Sequence, residues 1–104
     1  MKSITKEILV ERENFILFIH TPFCGTCHVA QGMLNQIEKT LNESYFYDMN
    51  GSLFPEFLQD EKIKSVPCLL IKVDGQVKKK IYAFHSIANI LSEMTDFDLK
   101  LFKI

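Results

Sequence analysis

The 104-residue chain is predicted to be an α/β protein with a mixed four-stranded sheet flanked by helices, in the order αβαβαββα. Three observations predict this. Short β-branched and aromatic runs are typical of strands, and segments with apolar residues three and four positions apart are typical of helices. An Asp-Gly pair between two strand-like segments indicates a hairpin, and hence antiparallel pairing. A strand–helix–strand unit implies parallel pairing with a right-handed crossover.

The first part of the chain contains a predicted helix and a predicted buried strand. Residues 3–12 place apolar side chains one helical turn apart, and Ser3 or Thr5 is a suitable N-cap. Residues 15–19, Phe-Ile-Leu-Phe-Ile, form a continuous apolar run that is too short for a helix. Such a run predicts a strand that is buried on both faces of the sheet.

The middle of the chain predicts a long helix, a second strand and a short helix. The long helix covers residues 24–42 and the strand covers residues 45–49. A turn at Asn50-Gly51 then leads into a helix at residues 52–60, where Pro55 is tolerated in the first turn. The apolar face of the long helix consists of Ala30, Met33, Leu34, Ile37 and Leu41.

The last part of the chain predicts the hairpin and a final helix. Strands at residues 68–73 and 76–82 flank Asp74-Gly75, whose positive φ angles suit a two-residue turn. A serine-capped helix follows over residues 86–94. In residues 96–104 the apolar residues fit both a strand and a continued helix, and the pattern does not separate the two.

Composition narrows the classes of protein that the chain can belong to. Residues 1–104 are expected to form a single domain. The net charge of −1 provides no basic excess for a phosphate backbone, so we expect no nucleic-acid partner. No apolar run approaches the roughly 18 residues that a membrane helix needs, so we expect no membrane partner. No leader pattern precedes the first strand, and we expect a cytoplasmic location.

Two of the three cysteines, Cys24 and Cys27, lie between a buried strand and the first turn of a helix. Unpaired backbone N–H groups and the helix dipole favour a thiolate there. Cysteines in such settings have pKa values of roughly 3.5–7.5, against about 8.5 for a free thiol. We therefore expect Cys24 to attack a disulfide and Cys27, one turn further on, to resolve the mixed disulfide. Gly25 leaves room for a partner backbone.

The sequence resembles the thioredoxin family over roughly residues 4–94. The resemblance rests on the buried strand before Phe23-Cys24-Gly25-Thr26-Cys27, on Ser65-Val66-Pro67 at a strand start, and on Val73-Asp74-Gly75. It implies a thioredoxin fold and a thiol–disulfide oxidoreductase. It also implies that Val66–Pro67 is a cis peptide bond facing the cysteine pair. The implied substrate-binding residues are Phe23, Gly25, Thr26, Val66, Pro67 and Phe84.

The same resemblance implies the partners and the redox group. The expected partners are a disulfide-containing protein or a low-molecular-weight thiol, together with an electron donor of the thioredoxin-reductase type. No cofactor or metal is expected beyond a redox-active Cys24–Cys27 disulfide.

Three positions depart from the pattern of classical thioredoxins. Thr26 stands where a proline is common, and Phe23 stands where a tryptophan is usual but keeps an aromatic wall. Phe18 stands where a buried aspartate normally assists the resolving cysteine. The proton acceptor for Cys27 is therefore open, with water or His20 as candidates. Because Phe18 replaces this aspartate, a non-catalytic binding module is an alternative to an oxidoreductase.

Other interpretations of the cysteines and histidines are possible from the sequence. Cys24 to His28 matches a c-type haem attachment pattern. A zinc site would need one more ligand from Cys68, His20, His28 or His85. His28 is expected to be an exposed residue that could favour the Cys24 thiolate. Cys68 is expected to be a small core residue, with a third redox thiol as the alternative.

Overall fold

The computed structural model describes all residues, Met1–Ile104. Five strands form one sheet in the order β1-β3-β2-β4-β5. Strands β1, β3 and β2 are parallel, whereas β4 and β5 are antiparallel to their neighbours. None of the helices combines the length and apolarity that crossing a membrane requires. The strands are β1 (Lys2–Ser3), β2 (Phe15–His20), β3 (Phe46–Asn50), β4 (Cys68–Val73) and β5 (Gln76–Ile81). The helices are α1 (Lys6–Glu11), α2 (Gly25–Leu41), α3 (Pro55–Asp60) and α4 (Ile87–Thr95), with 3₁₀ turns at Gly51–Leu53 and Leu99–Phe102.

The sheet has five strands, and the prediction of four was wrong. The additional strand β1 is only two residues long and pairs in parallel with the middle of β3. A segment this short carries no hydrophobic period, and its conformation depends on the partner strand. The first helix is correspondingly shorter than predicted and begins at Lys6. Thr5, one of the two candidate caps, accepts a hydrogen bond from the Ile8 N–H at 3.2 Å.

The sheet is buried on both faces, as the continuous apolar run in β2 predicts. All five residues of Phe15–Ile19 are at most 1% exposed. Helices α2 and α4 pack on the face that carries Phe18, and α1 and α3 pack on the face that carries Leu17. Burying each such side chain contributes about 1.5–3 kcal/mol, so β2 is the central strand of both cores.

Two chain reversals lie near the end of the sequence, the first set by local residue types and the second by burial of Phe102. Asp74 and Gly75 adopt φ angles of 53° and 77°, as the hairpin prediction requires. The segment whose conformation the sequence left open forms the 3₁₀ turn Leu99–Phe102, with Phe102 fully buried. The Ile104 N–H donates to the Ser44 carbonyl at 3.0 Å, so the last residues are attached to the loop before β3.

The antiparallel pairing of β2 and β4 brings the two predicted site loops together. Ile19 near the end of β2 lies opposite Cys68 at the start of β4. The loop from β2 into α2 and the Val66–Pro67 segment therefore meet at the same edge of the sheet. The Val66–Pro67 peptide bond is cis.

Candidate active site

Cys24 and Cys27 form a disulfide at the N-terminus of α2, with their Cα atoms 5.2 Å apart. Cys24 is the N-cap residue, and its Sγ accepts a hydrogen bond from the Cys27 N–H at 3.2 Å. The Thr26 hydroxyl lies 3.5 Å from the same sulfur. Cys24 is partly exposed, whereas Cys27 is 4% exposed. The pair is therefore asymmetric, because an incoming disulfide can reach only the first sulfur.

Phe23 precedes the disulfide in a conformation that bulky residues rarely adopt. Its φ angle is 63°, in the left-handed region, and its side chain is fully exposed. Strained backbone of this kind costs of order 1–3 kcal/mol and clusters at functional sites. An exposed aromatic ring next to the reactive sulfur is available to a partner rather than to the core.

Four of the predicted substrate-binding residues line one groove of about 400 Å³. They are Thr26, Val66, Pro67 and Phe84. Val29 and Tyr82 also line this groove, and neither was predicted from the sequence as a site residue. Val29 precedes the predicted apolar face of α2, so the helical pattern gives no signal for it. Its side chain is 63% exposed and is accessible from solvent.

The remaining predicted residues lie outside that groove. Phe23 lines a second hollow of about 200 Å³ with both cysteines and His28. His20 and Gln31 also line this second hollow. Gly25 lines neither, but no atom lies within 4 Å of the position a Cβ would take. The open space above Gly25 is consistent with the close approach of another chain.

His20 sits at the inner side of the second hollow and contacts a carboxylate. Its Nε2 lies 2.5 Å from Asp48 Oδ1, and both side chains are partly buried. The Phe18 ring is fully buried beside it, so the interior holds no carboxylate at that position. Asp48 was not predicted from the sequence as a site residue. Its signal was a lone acidic residue within the otherwise apolar strand at residues 45–49.

Cys68 lies in the core on the other face of the sheet from α2. It is fully buried, and desolvation raises the pKa of its thiol from 9.0 to about 11, against smaller lowering effects from Tyr82 and Lys80. A thiol with this pKa is a poor nucleophile, which favours the core interpretation. His28 and His85 are both exposed.

The residues required for a zinc site do not come together. No group of three or more His, Cys, Asp or Glu side chains in the chain could hold a metal ion. Cys24 and Cys27 are bonded to each other, and Cys68 lies in the opposite core. The positions of these residues therefore do not support the zinc interpretation of the sequence.

A disulfide at the start of a helix, next to a cis-proline loop at the edge of a mixed sheet, defines a thiol–disulfide oxidoreductase. The family model for thioredoxin matches residues 2–96, so the chain belongs to the thioredoxin family. It is 38% identical over 90 residues to the thioredoxin-like protein YusE of Bacillus subtilis, covering 85% of each chain.

Solved structures share the fold at low sequence identity. Oxidized mitochondrial thioredoxin 3 of Saccharomyces cerevisiae superposes with a TM-score of 0.75 at 15% identity, over 93% of this chain and 95% of that one. Oxidised thioredoxin of Plasmodium falciparum gives a TM-score of 0.74 at 17% identity, over 92% and 96% of the two chains. The predicted α/β class and thioredoxin fold are confirmed.

Proposed function

We propose that Cys24 is the attacking thiolate and Cys27 the resolving thiol in the reduction of disulfides in protein substrates. The Cys24 thiolate bonds to one substrate sulfur, and the other substrate sulfur leaves with the electron pair. Cys27 loses its proton and attacks Cys24, which releases the second substrate thiolate and forms the Cys24–Cys27 disulfide. The observation that carries this assignment is the asymmetry of the pair, with the partly exposed Cys24 at the helix N-terminus and Cys27 buried.

The groove beside the disulfide is the proposed substrate site. Its walls are largely apolar and come from α2, from the cis-proline loop and from the segment after β5. An extended substrate would pair its backbone with that of Val66 and would place apolar side chains against Val29 and Phe84. Phe23 and Gly25 would contact the substrate from the other side of the disulfide.

The disulfide formed in each turnover indicates which electron donor and which cellular compartment the protein needs. Each turnover leaves the protein oxidised, so a reductase of the thioredoxin-reductase type or a low-molecular-weight thiol must restore the two thiols. A reducing cytosol supplies both kinds of donor. We assign residues 1–104 to one domain that acts in this compartment with no cofactor other than its own disulfide.

Insulin reduction tests the assignment. Wild-type protein supplied with a reductant should precipitate insulin, and Cys24→Ser should be inactive. Cys27→Ser should also stop turnover, but it should accumulate a mixed disulfide through Cys24 that mass spectrometry detects. Covalent trapping by Cys24→Ser instead of Cys27→Ser would reverse the two roles. A reduction potential near −270 mV, as opposed to about −120 mV, would identify a reductant.

A second candidate function is a binding module that uses the groove without turnover. The observation that favours it is the buried Phe18 ring, since it occupies the position where a carboxylate would assist Cys27. The variant Cys24→Ser/Cys27→Ser discriminates the two functions. A binding module would hold its partner with unchanged affinity after both sulfurs are replaced. An oxidoreductase would lose capture in this variant and retain it in Cys27→Ser.

A further inference from the structure

The contact between His20 and Asp48 lies on the same face of the sheet as the redox helix. Residues alternate in direction along a strand, so His20 and Phe18 point to the side on which α2 packs. Asp48 lies opposite Phe18 in the pairing of β2 with β3 and points to the same side. Two polar side chains from neighbouring strands are thus placed beneath the first turn of α2.

The two atoms that face each other in this pair make no hydrogen bond to any group outside it. His20 Nε2 and Asp48 Oδ1 are buried, and neither makes a hydrogen bond to any third group. Burying two polar atoms is unfavourable unless they interact. The contact engages Nε2 and leaves Nδ1 of the same imidazole free to accept a proton. Stacking of the ring on Phe18, with centroids 5.4 Å apart, fixes its orientation.

His20 and Cys27 line the same hollow of about 200 Å³. A water molecule occupies about 30 Å³ in the liquid, so this space can hold a short relay between the imidazole and the buried sulfur. Asp48 is not among the residues that line the hollow. His20 is therefore the member of the pair that shares this space with Cys27, and Asp48 contacts His20 outside it.

We propose that His20 accepts the Cys27 proton during resolution, and that Asp48 positions the imidazole and stabilises its protonated form. The Cys27 S–H bond breaks, and its proton moves to the imidazole. The sulfur electron pair then forms the bond to Cys24, and the bond between Cys24 and the substrate breaks. The substrate sulfur leaves as a thiolate, and the imidazolium later returns the proton to solvent. This inference rests on the proposed roles of the two cysteines.

Reaction of the reduced protein with the aromatic disulfide DTNB separates the two steps in one trace. Attack by Cys24 releases one thionitrobenzoate in a phase that depends on DTNB concentration. Attack by Cys27 on the mixed disulfide releases a second one in a phase that does not. Cys24→Ser/Cys27→Ser gives the background labelling of the buried Cys68. The proposed function predicts that Cys24→Ser loses both phases and that Cys27→Ser loses only the second. These two variants therefore test the proposed function independently of His20.

At about pH 7, His20→Ala should slow the second phase roughly tenfold or more, which is less than the roughly 10²–10⁴-fold typical of a general base because water also accepts the proton. The first phase should be unchanged. Asp48→Asn should slow the second phase less than His20→Ala does, and added imidazole should restore much of the rate in His20→Ala. His85→Ala is the matched control, since His85 is exposed and lines neither the groove nor the hollow, and it should leave the second phase unchanged.

A pH profile separates proton transfer from a structural effect. The groups that face His20 are Asp48 from β3, together with Cys24, Cys27 and His28 from α2, whereas β4 presents apolar residues on this face. Hydroxide takes the Cys27 proton more readily as the pH rises, so the rate deficit of His20→Ala relative to wild type should shrink steadily between about pH 7 and about pH 10. A deficit that stays constant over this range, equal slowing of both phases, or an unaffected second phase would each overturn the proposal.

Discussion

The Phe18 ring stacks on the His20 imidazole, with their planes inclined by 24°. The two residues occupy alternate positions on β2 and face the same core. Phe18 also meets the Phe84 ring edge-on, with centroids 6.1 Å apart. The Phe18 ring thus contacts both Phe84 in the substrate groove and His20 of the His20–Asp48 pair. The carboxylate on this side of the sheet belongs to Asp48 on β3, and position 18 carries none.

Restoring the carboxylate that the family carries at position 18 should harm this chain. Phe18→Asp removes a fully buried ring and places a second carboxylate opposite Asp48 in the pairing of β2 with β3. We expect a loss of at least about 4 kcal/mol in the free energy of unfolding, measured by urea denaturation. Phe18→Leu, the control, should lose roughly 1.5 kcal/mol. A Phe18→Asp protein as stable as Phe18→Leu would show that the interior already accommodates a charge.

The hydroxyl of Thr26 should contribute to the reactivity of Cys24. It lies 3.5 Å from the sulfur and can donate to a thiolate. A hydrogen bond of this kind contributes about 1 kcal/mol, so Thr26→Val should slow the DTNB-dependent phase by roughly fivefold. Thr26→Ser keeps the donor and should stay near the wild-type rate. A wild-type rate in Thr26→Val would show that the hydroxyl does not contribute to the reactivity of Cys24.

The sequence predicts those features that depend on local patterns. The apolar run of β2 has no helical alternative because it is only five residues long before the chain turns. Asp74-Gly75 adopts the positive φ angles that its residue types favour. Cys24 caps α2, and Asn42 ends it in the left-handed region with φ 53°. Each of these features needs only neighbouring residues, so each is visible without knowledge of the fold.

The features that the sequence does not predict depend on contacts between distant segments. Strand β1 exists because β3 offers an edge, and the Leu99–Phe102 turn exists because Phe102 finds a place in the core. The acidic member of the His20–Asp48 pair could not be assigned from local pattern, because 28 positions separate the two residues. Only the register of β2 on β3 brings them together.

Glu38 should be one of the most important polar residues for stability. Its Oε2 accepts hydrogen bonds from the N–H groups of Tyr45 and Phe46 at 2.7 and 3.0 Å. Its Oε1 contacts the Met1 ammonium at 3.0 Å. Glu38→Ala leaves two partly buried donors unsatisfied, and we expect a loss of about 3 kcal/mol by urea denaturation.

Two further variants test this interpretation of Glu38. Glu38→Gln keeps an acceptor for the backbone and should lose only about 1 kcal/mol. Gln36→Ala changes an exposed residue of the same helix and should stay within roughly 0.5 kcal/mol of wild type. A loss in Glu38→Ala no larger than that in Gln36→Ala would contradict the role assigned to the carboxylate.

Cys68 should make the protein less stable in alkaline solution. Burial raises its pKa from 9.0 to about 11 in the folded protein, whereas the unfolded thiol ionises at its ordinary value. Below pH 9 both states hold the proton, and the stabilisation from the neutral thiol is fully present. Between about pH 9 and 11 only the unfolded state loses the proton, so the free energy of unfolding falls, by on the order of 2 kcal/mol.

Comparison of wild type with Cys68→Ala isolates this contribution of Cys68, because the lysines and tyrosines that titrate in the same range are common to both proteins. Urea denaturation of the oxidised proteins at about pH 8 and about pH 10.5 gives the two differences in stability. The wild type should lose more stability than the variant over this interval. After reduction, native Cys68 should also react with iodoacetamide far more slowly than Cys24. Identical pH dependence in the two proteins, or equal labelling rates, would place the Cys68 thiol in contact with solvent.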